Sequence, residues 1–144
     1  MKKTMIVTLL ALLMTSGASF AAGIGYVDYA KVRAEYPLAK KYAQDIDNKA
    51  AAIKAYADSQ QKKALAVKTP AEKKAIADAS VKEIRLRQQQ YAAALNKYEA
   101  ELTQKVVAAA EKVRAAKGLD IIITKSTRVT GGVDCTLDVL KNLK

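Results

Sequence analysis

The chain has 144 residues, with 25 Lys or Arg against 14 Asp or Glu for a net charge of +11, one cysteine and no histidine. Histidine-dependent bases, catalytic triads and the usual zinc sites are thereby excluded, and a single cysteine cannot close an intramolecular disulfide. No Gly-x-x-x-x-Gly-Lys-Ser/Thr phosphate loop occurs, so no nucleotide or other cofactor is expected, and the chain reads as a non-enzyme.

In chain order, Lys2 and Lys3 precede an apolar run from Met5 to Met14, and Ser19-Phe20-Ala21 fits a small-x-small cleavage site. The run is too short to span a bilayer, so residues 1–21 read as a secretory signal peptide cleaved after Ala21. No cysteine follows the run, so lipid attachment there is not expected. The remaining chain carries +9 and is expected to be exported, which makes nucleic acid an unexpected natural partner.

Ile24-Gly25-Tyr26-Val27 is a β-prone stretch, and Asp28 is placed to cap a short helix through Val32 to Tyr36. Pro37 then marks a break. Residues 38–117 read as a long antiparallel helical hairpin. Leu38, Tyr42, Ile46, Ala50, Ile53, Ala57, Gln60, Ala64 and Val67 recur at helical spacing, as do Ile76, Ser80, Ile84, Tyr91, Leu95, Tyr98, Leu102, Val106, Ala109 and Val113. The turn falls at residues 67–72, where Thr69, Pro70 and Glu72 form a capping-box signature. Facing residues should then have numbers summing to about 137, pairing Ile53 with Ile84, Ile46 with Tyr91, Tyr42 with Leu95 and Leu38 with Tyr98. The same register sets Val32 beside Val106 and Tyr36 beside Leu102.

This seam is narrow, since 22 of the 80 residues from 38 to 117 are alanine. A second helix of this length would reach about 70 Å, beyond any compact domain, so the hairpin is expected to project into solvent. It also holds 17 of the basic and 9 of the acidic residues, so nearly all the excess charge belongs to the arm.

Lys117-Gly118 reads as a helix C-terminus, and Leu119 to Thr124 as a β-branched strand. Arg128-Val129-Thr130 and Val133-Asp134-Cys135 flank Gly131-Gly132 as strand pieces. Cys135 reads as a small buried strand residue, and Thr136 as the cap of a terminal helix with Leu137, Leu140 and Leu143 along one side. Residues 22–36 and 118–144 would form one small β-containing body, and residues 37–117 the arm. The fold class is α+β. So few residues cannot bury an independent core without a disulfide or metal, so the body is expected to complete its sheet by oligomerising. The candidate residues are Ile24, Tyr26, Val27, Ile121, Ile122, Ile123, Val133, Cys135 and Leu140.

The Ile24-Gly25-Tyr26-Val27-Asp28 start, the basic hairpin, the run Ala116-Lys117-Gly118-Leu119-Asp120-Ile121-Ile122-Ile123 and the closing Asp138-Val139-Leu140-Lys141 together resemble the Skp (OmpH-like) family of periplasmic outer-membrane-protein chaperones. Cys135 departs mildly from the aliphatic residue expected there. The resemblance implies a homotrimer with a shared β-barrel and three hanging arms, holding unfolded outer-membrane β-barrel proteins without ATP. Such clients alternate apolar and polar residues and offer no single strong epitope, so many weak contacts are needed. Candidate client contacts on the arm are Tyr42, Ile46, Ile53, Tyr56, Lys62, Lys63, Lys73, Lys74, Arg85, Arg87 and Tyr91. The basic clusters also suit an anionic lipid or lipopolysaccharide. A structural coiled-coil spacer or tether of the cell envelope is the alternative reading.

Overall fold

The computed structural model describes residues 23–143; the expected signal peptide and its cleavage site lie outside them. The element order is β1 (Ile24–Val27), α1 (Tyr29–Glu35), α2 (Pro37–Ala66), α3 (Pro70–Lys117), β2 (Ile121–Thr124), a 3-10 turn (Lys125–Thr127), β3 (Val133–Asp134) and α4 (Thr136–Asn142). The chain is mostly helical with one small sheet, compatible with the α+β reading.

Local chemistry explains the helix ends. Asp28 accepts from the Lys31 N–H at 3.1 Å and starts α1. At the hairpin turn the Thr69 hydroxyl accepts from the Glu72 N–H while the Glu72 carboxylate accepts from the Thr69 N–H, with Pro70 at the first helical position. Gly118 closes α3 at φ 62°, ψ 33°, a left-handed conformation that only glycine adopts readily. The Leu119 N–H then bonds back to the Arg114 carbonyl at 3.0 Å.

Side-chain pairs across the hairpin are offset from the expected ones. Tyr42 meets Tyr98 rather than Leu95, and Tyr56 meets Arg87, so contacting numbers sum to 140 and 143. The cause is the lean of every helical side chain towards its own N-terminus. In an antiparallel pair the two leans converge, so contacts form between residues whose Cα atoms lie about a turn apart. Beyond Pro37 the pairing breaks: α1 reaches α3 through Tyr29 to Thr103 and Arg33 to Glu99, whose numbers sum to 132. The Tyr36-Pro37 step sets α1 out of line with α2, so its polar contacts do not continue the hairpin register. Val32, Val106 and Leu102 nevertheless share the core, with Tyr36 packed against it.

The sheet is entirely parallel, with β1 central in the order β2-β1-β3. Ile24 pairs with Ile121 and Tyr26 with Ile123 on one side, and Gly25 with Val133 and Tyr26 with Asp134 on the other. Arg128-Val129-Thr130 forms no strand; the chain turns instead through Gly131 and Gly132 at φ 74° and 85°. The core lies between the inner sheet face and the body end of α3, built by Val27, Val32, Leu102, Val106, Val113 and Val139.

Two details of the C-terminal segment differ from expectation. Thr136 is the first residue of α4 rather than its cap: Cys135 stands at the N-cap without a side-chain capping bond, and Asp134, just before it, accepts from the Thr136 N–H at 2.9 Å. The freed Thr136 hydroxyl accepts from the Asp28 N–H at 3.0 Å, tying α4 to the start of α1. Cys135 is buried but follows β3 rather than lying in it, and burial pushes its thiol pKa up.

Gly25 is required by space. A Cβ there would meet Leu119 Cδ1 at 2.8 Å, Cys135 Sγ at 2.9 Å and Ile122 Cγ1 at 3.0 Å. Gly25→Ala is therefore expected to destabilise the body by about 1–3 kcal/mol through overpacking, read as a lower urea midpoint at unchanged m-value.

Candidate functional site

The hairpin is fastened near the body by a reciprocal clasp. Tyr42 and Tyr98 stack with centroids 4.1 Å apart and planes 2° from parallel. The Tyr42 hydroxyl donates to Glu101, and the Tyr98 hydroxyl donates to Asp45 at 2.7 Å. Each helix contributes a Tyr-x-x-acid pair, and each tyrosine bonds the acid of the other helix. The Glu101 carboxylate holds the Tyr42 phenol neutral, pushing its pKa up to about 12, and Asp45 raises that of Tyr98 in the same direction. Further out, the Arg87 guanidinium lies 4.6 Å above the Tyr56 ring while its Nε donates to Glu83 at 2.8 Å. Of the expected client-contact residues, Tyr42, Tyr56 and Arg87 are thus engaged within the hairpin, and Ile46, Ile53 and Tyr91 sit half-buried along its seam.

The distal arm is different. Residues 54–82 hold seven lysines and three acids, and Lys62, Lys63, Lys73 and Lys74 are all exposed. Among the described residues no ion pair engages these four lysines, nor Lys40, Lys41, Lys105 and Lys112 nearer the body, where Lys49, Arg87, Lys97, Arg114 and Lys117 are paired. Arg85 is also exposed. Residues 54–82 thus carry half of the arm's excess charge in little more than a third of its length, so the excess is denser towards the tip.

The body presents two apolar surfaces. On the outer sheet face, Ile24 is 48% exposed and Ile121 50%, with the side chains of Tyr26 and Ile123 on the same side by strand alternation. Among the residues expected at an oligomer contact, Ile24, Tyr26, Ile121, Ile123 and Val133 are at least partly open to solvent. Val27 and Cys135 face inward, and Ile122 and Leu140 pack against the protomer's own core. The second surface is an open groove of about 590 Å³ where the arm leaves the body, lined by Tyr36, Pro37 and Leu38 and by Leu137, Leu140 and Leu143. The leucine stripe of α4 is thus a groove wall, while Val139 is the residue of that helix with no exposure at all.

Lys125 pairs with Asp28 and Lys117 with Asp138, which lowers the pKa of both carboxyls and raises that of both lysines. These exposed pairs are structural ties of modest worth. Among the described residues no three His, Cys, Asp or Glu side chains converge as metal ligands would, and no helix is long and apolar enough to cross a membrane.

The described residues thus form a small parallel sheet carrying a long, basic, solvent-exposed hairpin. Residues 23–143 match the family model described as outer membrane protein (OmpH-like), and the chain belongs to that family. A search of curated proteins found no match.

Tyr98, Asp45 and Glu101 were absent from the expected contact residues, although the repeated Tyr-x-x-acid spacing is visible in both helices. Tyr42→Phe and Tyr98→Phe should each lower the thermal midpoint by roughly 2–4 °C, with less than the sum in the double variant because the two bonds share one stack. The clasp also sets an alkaline limit. The folded state holds both phenolic protons more tightly than the unfolded chain, so this stabilisation is complete below pH 10.0 and is lost as pH rises towards about 12. Tyrosinate absorbance followed together with helix content should show both changing in that window, and Tyr42→Phe should shrink the coupling.

Proposed function

We propose that the chain is an ATP-independent periplasmic holdase that binds unfolded outer-membrane β-barrel proteins between basic helical arms and prevents their aggregation. Membership of the OmpH-like family supports the client class. The observation that carries the mechanism is the hairpin itself, whose distal part exposes alanines beside lysines that are in no ion pair among the described residues. Such a surface offers many weak, breakable contacts instead of one tight pocket. Long-range attraction from the tip lysines brings acidic clients in, and small apolar stems hold them briefly. Release then follows from the larger free energy a client gains by folding into its membrane.

In this reading residues 22–36 and 118–144 form the oligomerisation body and residues 37–117 the arm. Three copies assemble so that the outer sheet faces and strand edges cover one another in a shared barrel. The arms then enclose a common space, and the Tyr36 to Leu143 groove at the root of each supplies an apolar contact for client side chains. The unpaired tip lysines favour a second activity, contact with anionic lipid or lipopolysaccharide at the membrane where clients are delivered.

Dilution of a urea-unfolded outer-membrane β-barrel protein into buffer with the mature chain, without ATP, tests the holdase by light scattering. Suppression of aggregation near a stoichiometric ratio is expected, weaker at high salt. No suppression by a correctly folded oligomer would leave the envelope-spacer reading in its place. A quadruple variant replacing Lys62, Lys63, Lys73 and Lys74 with Gln should keep its helix content yet lose about tenfold in capture rate at low salt, with little further effect of added salt.

A further inference from the structure

We propose that the stacked Tyr42 and Tyr98 are an oxidative modification site, where a one-electron oxidant joins the two rings into a dityrosine that ties α2 to α3 covalently. The reaction involves neither a client nor a second copy of the chain.

Composition leaves an oxidant few other targets. The three methionines are Met1, Met5 and Met14, so residues 22–144 contain no methionine, tryptophan or histidine. Cys135 has no exposure, which withholds the one remaining sulfur. Tyrosine is the oxidisable side chain that is left.

Among the seven tyrosines, geometry selects this pair. Tyr26, Tyr56 and Tyr29 each lie beneath a guanidinium, whose Cζ is 3.8, 4.6 and 5.9 Å from the ring centroid. A cation over the ring is held by its electron density and opposes removal of an electron from it. Among the described residues no cation lies over Tyr42 or Tyr98, which instead stack on each other with centroids 4.1 Å apart. Each phenol also has its own proton acceptor, Glu101 for Tyr42 and Asp45 for Tyr98, the latter at 2.7 Å. Both carboxylates are partly open to water, and Lys49 and Lys97 stand 3.6 and 3.9 Å from them, so an accepted proton passes on to solvent. A cavity of about 210 Å³, walled by Ala39, Ala43, Ile46 and Leu95, opens beside the two rings. It admits a small oxidant and gives the rings room to tilt as they join.

Each phenol yields one electron to the oxidant and its proton to its carboxylate, which leaves two tyrosyl radicals in contact. They couple through ring carbons ortho to the oxygens. The hydrogens on those carbons return to the oxygens as the rings regain aromaticity. The product is lighter by two hydrogens, and the oxidant has gained two electrons. A chain with one cysteine cannot make such a tie by a disulfide.

Radiolytic azide radicals, a small one-electron oxidant of phenols, test this on the mature chain in dilute solution. The readouts are dityrosine fluorescence and mass spectrometry of tryptic peptides, with an equal mixture of isotope-labelled and unlabelled chains separating links within a chain from links between copies. A peptide pair joining Tyr42 to Tyr98 within one chain is expected as the main cross-link. Tyr42→Phe and Tyr98→Phe should each lower the dityrosine yield about tenfold, because they remove the partner already held in contact. Asp45→Asn keeps an acceptor oxygen but cannot take the proton, and should slow cross-linking about tenfold at unchanged helix content. Cross-links that run mainly between chains or through other tyrosines in the wild type, where folding of a variant is not in question, would overturn the site. An unchanged yield in both phenylalanine variants would do the same, and an unchanged rate in Asp45→Asn would overturn the part given to the carboxylate.

Discussion

The structure depends on one four-residue strand that is completed from the far end of the chain. Strand β1 is bonded on one side to β2 and on the other to β3, both about a hundred residues later. Random closure of so long a segment is slow, and four parallel residues alone do not hold it shut. The hairpin supplies the closure, because two helices that pair locally around one turn deliver the chain end back to its start. The sheet returns the favour: without it the exposed, alanine-rich helices have little apolar face of their own to stabilise them. Body and arm are therefore two halves of one folding problem.

Where the clasp falls follows from that arrangement. Tyr42 and Tyr98 lie close to where the hairpin joins the core, and their hydroxyls use carboxylates from opposite helices. Any slip by one turn would part both half-buried phenols from their carboxylates. The clasp thus fixes the register that the narrow seam, with its many equivalent alanines, leaves weakly specified.

The legible parts of this fold are those encoded within a few residues of each other. Thr69, Pro70 and Glu72 announce the hairpin turn, Asp28 the start of α1 and Gly118 the end of α3, each by a short-range rule. The buried stripe of α3 was visible as spacing. Longer-range geometry was not: side-chain lean moves Tyr42 from Leu95 to Tyr98, and α4 starts one residue early, with Cys135 at its N-cap and the Thr136 N–H held by the Asp134 carboxylate. Nothing near Arg128 signals that it lies on Tyr26, since the two come from opposite chain ends. The inward turn of Val27 depends on which sheet face the helices cover, and a strand pattern of this length does not settle that.

Helix α3 is one unbroken element of 48 residues, against 30 in α2. Its buried residues from Leu102 to Val113 are gripped by the body, a seat of about 17 Å, while the stretch from Pro70 to Leu102 extends about 48 Å beyond it. That makes α3 a lever with a ratio of about three to one, pivoting where it leaves the core. A displacement of the tip arrives at Val106 and Val113 reduced in size but increased in force, and a slight resettling of those two valines swings the tip several times as far. Load carried at one end of this rod is felt as packing at the other.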